Sequence, residues 1–122
     1  MKHCKQKKEF HRTRDQRKAL IEGLLSSLIL KEKIKTTLAK AKECKRLIDP
    51  IIKKGKEVGT AEKKVVAIRE LNKKLSSPAV KKLSLNFAES FGRRKSGYAR
   101  VIRLPRRKSD GAEMATVELI RD

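Results

Sequence analysis

The sequence has few of the residues that disulfide bonding, nucleotide-binding loops or membrane insertion require. It contains two cysteines, six dispersed glycines and no tryptophan, and aromatic residues make up 3% of the chain. Two cysteines are too few for a disulfide scaffold, and glycines that never cluster exclude a Walker loop or a dinucleotide fingerprint. The longest apolar stretch, residues 19–30, is interrupted by polar residues and is shorter than the roughly 20 residues of a membrane span.

Groups for metal or acid–base chemistry are also scarce. His3, Cys4 and His11 offer three zinc ligands where four are needed, and their basic surroundings disfavour a cation. The acids are scattered, and Cys44 lies beside lysines with no histidine nearby. We therefore expect no metal, cofactor, small-molecule substrate, membrane insertion or catalytic role. With no apolar signal segment after the basic N-terminus, we expect a cytoplasmic protein.

Positive charge is what the chain has in excess. The net charge is +20, whereas a small soluble domain usually carries about 2 to 8 charges. Residues 1–18 carry +6, residues 31–46 carry +5, and residues 93–108 carry +8 with no acid, which leaves +1 on the other 72 residues. Because a solvated surface mixes its charges, this segregation predicts a face that binds a polyanion.

The first third of the chain predicts an arm, a helix and a strand. Residues 1–12 have no helical or strand period and are interpreted as an extended basic arm. Thr13 and Gln16 have capping-box spacing before a helical apolar stripe, which predicts a helix over about residues 14–30. The β-branched run at residues 34–37 predicts a strand.

The middle of the chain predicts three further helices. The second helix begins near Leu38, and Pro50 predicts either a kink or a new turn capped by Asp49. The third helix is predicted to begin after Thr60, which serves as its cap. The fourth is predicted to begin at residues 77–78, because a serine followed by proline is typical of a helix start. The apolar stripe of the third helix is formed by Val65, Ile68, Leu71 and Leu75.

Alternation in the last third predicts two strands, joined by a long loop over residues 105–113. The expected fold is α+β, with about four helices packed on a small mixed three-stranded sheet. Residues 1–12 form the arm, and residues 13–122 form a single domain that binds RNA. The third and fourth helices carry mixed charges, so we expect their charged sides to lie outside the RNA-binding face.

The type of nucleic acid follows from the scarcity of aromatic residues. Proteins that bind single strands stack bases on several aromatic side chains, but only Phe10 and Tyr98 lie in or beside the basic segments. No zinc-finger spacing and no leucine heptad with a basic region is present to read the major groove of DNA. The favoured interpretation is therefore that the protein recognises the shape of folded RNA and binds its phosphates.

Specific strings then identify a family. Residues 34–43 read Ile-Lys-Thr-Thr-Leu-Ala-Lys-Ala-Lys-Glu, and residues 97–107 run from Gly-Tyr-Ala-Arg to Pro-Arg-Arg. With Arg12-Thr13, residues 17–20 and residues 27–29, these strings strongly resemble the bacterial large-subunit ribosomal protein seventeen family over nearly the whole chain. The resemblance implies an α+β fold and binding to large-subunit (23S) rRNA near the outer end of the peptide exit tunnel, beside neighbouring large-subunit proteins.

The candidate RNA-binding residues come from the three basic segments, and most of them are lysines and arginines that suit phosphate. The candidates are Lys2, His3, Lys5, Lys7, Lys8, Arg12, Thr13, Arg14, Arg17, Lys18, Lys35, Thr36, Lys40, Lys42, Arg93, Arg94, Tyr98, Arg100, Arg106 and Arg107. Two alternatives stay open at this point: a small DNA-binding protein of the nucleoid type, and a small basic ribonuclease that uses lysine, arginine and Tyr98 in place of histidine.

Overall fold

The structure is a computed structural model that describes residues 8–59 and 62–121, with the backbone alone for Asn86. Four helices and three strands are present in these residues, and a π-helical turn (Leu83–Phe87) and a 3₁₀ turn (Ala88–Phe91) extend the last helix. The elements are α1 (Arg14–Lys31), β1 (Lys33–Thr37), α2 (Leu38–Glu57), α3 (Lys64–Asn72), α4 (Ser77–Lys82), β2 (Ala99–Leu104) and β3 (Met114–Leu119). The predicted α+β fold is confirmed.

The sheet is antiparallel throughout, so the prediction of a mixed sheet is wrong. The strand order is β1-β3-β2, and β3 pairs antiparallel with both neighbours. The outer strands β1 and β2 therefore run in the same direction, but they are not hydrogen-bonded to each other. A parallel pair would have required them to be adjacent, and β3 takes the place between them.

The register of the sheet separates a covered face from an open one. Residues directly opposite each other in neighbouring strands point to the same face. Lys33 and Arg100 both lie opposite Glu118. Ala115 and Val117, which alternate with Glu118, are fully buried against the helices. The side chains of Lys33, Glu118 and Arg100 consequently share the open face.

Helix α1 begins as the sequence predicts. Thr13 is the N-cap residue with extended backbone, and its backbone N–H donates to Oε1 of Gln16 at 3.3 Å. This contact is the reciprocal half of a capping box, which satisfies a backbone donor at the helix start. The helix buries Leu25, Leu28 and Ile29.

Helix α2 lies at the centre of the domain and contacts the sheet, α1, α3 and the two turns that follow α4. It continues through Pro50 without a break, so neither the new turn nor a cap by Asp49 is observed. A Cβ on Gly55 would lie 3.2 Å from Cβ of Ala88, so glycine permits the close approach of α2 to the turn that follows α4. Cys44 is fully buried, and burial raises its pKa to about 11, with the charge of Glu43 adding to the shift. The thiol is thus protonated at neutral pH.

Helix α3 is shorter than predicted and exposes part of its predicted stripe. Its buried residues are Ala67 and Leu71, whereas Val65 is 60% exposed. Thr60, the predicted cap, lies outside the described residues. The period of the stripe identified the helix, but the face that packs against α2 is rotated away from Val65.

Candidate nucleic-acid interface

The described candidates at the start of the chain lie around the first turn of α1. Lys2, His3, Lys5 and Lys7 lie outside the described residues. Arg17 is half-buried, and the others are exposed: Lys8, Arg12, Thr13, Arg14 and Lys18. The guanidinium of Arg12 donates to the carbonyl of Phe10 at 2.9 Å. Lys8, Arg14, Arg17 and Lys18 line a groove.

This groove, which we call the basic groove, has a volume of about 510 Å³. It lies between α1, α2 and the residues that follow α3. Its floor is apolar and includes Ile21, Leu47 and Pro50. Seven cations and two carboxylates, those of Glu22 and Glu43, line it. The cations are Lys8, Arg14, Arg17, Lys18, Arg46, Lys73 and Lys74.

One of the two carboxylates in the basic groove is neutralised by a neighbour. Nη2 of Arg46 donates to Oε1 of Glu43 at 2.5 Å, and Nε donates to Oε2 at 3.3 Å. The Glu43 side chain is 10% exposed and that of Arg46 is 59% exposed. This hydrogen bond is the main cause that raises the pKa of Arg46. Arg46 is therefore held in a fixed orientation while its guanidinium still faces solvent.

Three of the groove cations were missed by the sequence analysis. Arg46 belongs to the second basic segment but was not selected, and Lys73 and Lys74 follow α3, in a region that nets almost no charge. Charge counted along the chain cannot reveal which helices bring their ends together. A signal was nevertheless present, because two adjacent lysines lie between Leu71 and Leu75, the last two residues of the predicted stripe.

A second, shallower concavity continues the basic surface. It is lined by Lys42, Lys45, Asp49 and Gly97, and Arg46 lines both concavities. Arg46, from the second basic segment, therefore lies beside residues of the first segment in the basic groove. Gly97, from the third segment, lies beside residues of the second segment in the shallower concavity. Of the other candidates from the second segment, Lys40 and Thr36 are half-buried, and Lys35 is exposed on the open face of the sheet.

Several cations of the third segment are paired with acids that lie outside its sequence boundaries. Arg100 pairs with Glu118 across β2 and β3, and Lys33 lies 3.8 Å from the same carboxylate. Arg106 lies 3.4 Å from Glu113. The open face and the hairpin are consequently less positive than the residue count suggested.

The hairpin loop contains a further pair, which is bidentate. Arg107 forms two hydrogen bonds to Asp110, at 2.9 and 2.6 Å. These bonds, with a backbone N–H from Ala112, lower the pKa of Asp110 to about 2. Backbone hydrogen bonds from Arg107 to Ala112 and from Gly111 to Arg107 close the same turn.

The loop that carries Arg93 and Arg94 is anchored to α2. Oδ2 and Oδ1 of Asp49 accept hydrogen bonds from the backbone N–H groups of Gly97 and Tyr98, at 3.0 and 3.1 Å. Nζ of Lys56 donates to the carbonyl of Arg94 at 2.6 Å. Asp49 thus holds the loop on α2 instead of capping a helix turn.

Tyr98 does not belong to the exposed surface. It is 1% exposed, its ring packs edge-to-face against Phe91 at 5.5 Å, and its hydroxyl donates to the carbonyl of Arg94 at 2.6 Å. A ring in this position cannot stack on a base or reach a phosphate. We therefore exclude Tyr98 from the interface, and the ribonuclease hypothesis loses the residue on which it depended.

Replacement of Asp49 by alanine is expected to lower the free energy of unfolding by about 1 to 3 kcal/mol, because two backbone donors lose a charged acceptor. Denaturant unfolding followed by circular dichroism measures the change. Amide exchange at Gly97 and Tyr98 should accelerate in the same variant. Unchanged exchange at both amides would contradict the assigned role of Asp49.

Neither metal binding nor membrane crossing is indicated in residues 8–59 and 62–121. No group of three or more potential metal ligands is present there. Over the same residues, no helix combines the length and the apolar composition of a membrane span.

Comparison with known proteins identifies the family. The family model described as "Ribosomal protein L17" matches residues 20–120. The chain is 38% identical over 120 residues to the "Large ribosomal subunit protein bL17" of Gemmatimonas aurantiaca, covering 98% of each chain. It is 37% identical over 115 residues to the protein of the same name from Staphylococcus epidermidis, covering 89% of this chain and 94% of the relative. The family is a structural one, in agreement with the expectation of no catalytic role. This chain belongs to the ribosomal protein L17 family.

Proposed function

We propose that the chain is a structural constituent of the large subunit of the cytoplasmic ribosome, where it binds and stabilises folded 23S rRNA near the peptide exit tunnel. Family membership, shared with relatives named as large-subunit proteins, is the observation that carries this proposal. The continuous basic surface that joins the two concavities supports it from the structure.

The proposed mechanism is the neutralisation of phosphates. Each lysine or arginine that contacts a phosphate releases condensed counterions, and this release makes a large contribution to the affinity of proteins for nucleic acid. Arginine grips a phosphate with two parallel N–H groups, whereas lysine acts as a point charge. The mixture around the first turn of α1 supplies both kinds of contact.

Neighbouring large-subunit proteins are proposed as additional partners. Val65 and Val66 on α3 are 60% and 55% exposed, although both are apolar. Exposed apolar surface is a mark of contacts between proteins, and neither valine lines the basic groove. The side of α3 that bears them is the surface that we assign to a protein neighbour.

A comparison of two charge-matched triple variants tests the RNA-binding face. Arg14, Arg17 and Lys18 are changed together to alanine, because they line the groove. We expect a marked loss of affinity for a 23S rRNA fragment and a salt slope reduced by about three units, one for each phosphate contact removed. Filter binding at several salt concentrations measures both quantities.

The control removes the same charge elsewhere. Lys63, Lys64 and Lys81 are exposed and do not line the groove, so their joint replacement by alanine should leave the binding affinity close to that of the original chain. Equal losses in the two folded variants would refute a defined face. Failure of the native chain to sediment with large subunits, or binding to duplex DNA that survives competition by RNA, would overturn the proposed function itself.

A further inference from the structure

We propose that the basic groove holds a single unstacked nucleotide of the RNA, with its base against the apolar floor and its phosphates on the rim. This inference rests on the proposed function and deepens it, because it assigns a local RNA structure to one site. A bulged or looped-out nucleotide, rather than a regular duplex, is the occupant that the groove fits.

The volume of the groove limits what can enter it. Pockets of about 300 to 1,000 Å³ take ligands of the size of a nucleotide. The groove, at about 510 Å³, falls in this range. A duplex is too wide to enter, and it could contact only the rim.

The groove is charged at its rim and apolar at its floor, which matches a nucleotide with its charged phosphate and its flat, less polar base. Ile21 and Leu47 are half-buried and offer aliphatic surface, and Pro50 adds the face of its ring. Unstacked bases in RNA complexes are held between apolar side chains, aromatic rings or arginine guanidinium planes. The groove supplies the first and the last of these.

Arg46 occupies the position from which a base can be covered. Its two hydrogen bonds to Glu43 fix the guanidinium plane, and its side chain remains 59% exposed. A guanidinium already held in one orientation loses less entropy when it stacks on a base. Glu43 is therefore a positioning residue for Arg46.

Charge and continuity favour RNA over a protein segment as the occupant. Arg14 and Arg17 from α1 and Lys73 and Lys74 from the residues after α3 all line the groove, so a nucleotide in it meets cations from two separate elements. The same surface continues through Arg46 into the second concavity, as expected for a strand that passes across it. An acidic peptide would need cations only beside its separate acidic side chains, and not along a continuous surface.

The test uses the full chain and two RNA hairpins that differ by one bulged nucleotide. We expect the bulged hairpin to bind about tenfold more tightly than the fully paired one, a difference within the range of a single stacked base. The change Leu47→Ala should remove most of this preference. Leu24→Ala, which shortens a partly buried leucine outside the groove, should retain it.

A second pair of variants tests the rim. The double change of Lys73 and Lys74 to alanine should lower the salt slope for the bulged hairpin by about two units, whereas the same change at Lys63 and Lys64 should leave it unaltered. A fluorescent adenine analogue in the bulge should change its emission on binding to the original chain, and less so with Leu47→Ala.

Three results would overturn the inference. One is equal affinity of the original chain for the two hairpins, and another is full retention of the preference by Leu47→Ala. The third is tight binding of an acidic, leucine-containing peptide that displaces the bulged hairpin and depends on Lys73 and Lys74. In the first two cases the original chain still binds both hairpins, so the proposed function would stand. If the original chain bound neither hairpin, the proposed function would be refuted as well.

Discussion

Affinity for a 23S rRNA fragment is expected to fall by roughly 10³- to 10⁵-fold between 50 and 200 mM salt, if about six to ten phosphates are neutralised. Besides Arg46, which pairs with Glu43, the basic groove provides six cations, and Lys42 and Lys45 extend the surface beyond it. Each contact returns a condensed counterion to the solvent, and this gain in entropy shrinks as the salt concentration rises. Equilibrium titrations at four or more salt concentrations give the slope directly.

An arginine that is paired with an acid provides a control for the effect of removing a single cation on the salt dependence. Arg107 already holds Asp110 through two hydrogen bonds, so its replacement by alanine also releases a carboxylate. Replacement of Arg17, which lines the groove, removes a cation without that effect. A nearly flat response of the affinity to salt would show that the cations of the groove do not bind phosphate.

Replacement of Tyr98 by alanine is expected to lower the free energy of unfolding by about 3 to 5 kcal/mol, the range for deletion of a buried aromatic ring. The ring is almost fully buried, packs against Phe91 and carries a hydroxyl within hydrogen-bond distance of Lys56 and the Arg94 carbonyl. A loss of this size is a large part of the 5 to 15 kcal/mol typical of a small domain. Urea unfolding measures it.

The conservative change Tyr98→Phe separates the ring from the hydroxyl. It should cost about 1 kcal/mol, because only the hydrogen bonds of the hydroxyl are lost and Lys56 keeps the carbonyls of Gly92 and Arg94 as acceptors. An unfolding free energy of Tyr98→Ala within about 0.5 kcal/mol of the original, together with weaker RNA binding, would instead place Tyr98 on the surface.

Local sequence signals predicted the elements well and their mutual arrangement less well. The capping pattern at Thr13 and the stripe behind it predicted α1 to within a residue of its observed end. The β-branched run predicted β1, and the alternating residues predicted β2 and β3. Each of these signals depends on neighbours within one or two helical turns or along one strand.

The errors arise where distant segments meet. Tyr98 was selected as an RNA-binding candidate, but its ring packs against Phe91 and its hydroxyl accepts a hydrogen bond from Lys56 of α2, contacts that no local pattern specifies. Lys73 joined the basic groove because α3 packs on α2, and no local pattern specifies that contact. The acids that pair with Arg100 and Arg106 lie on the partner strand or beyond the turn, outside the segment in which charge was counted.

The strand order has a consequence for the order in which the protein is made. The middle strand, β3, is the last of the three to be synthesised, yet it supplies every backbone partner of β1 and β2 in the sheet. A nascent chain that ends before residue 114 carries two strands with unpaired edges, a form prone to wrong pairing. The helices can pack earlier, since their hydrogen bonds are local. Lys35 and Arg100 therefore reach their final spacing only when the sheet closes around residues 114–119, so translation completes this part of the basic surface last.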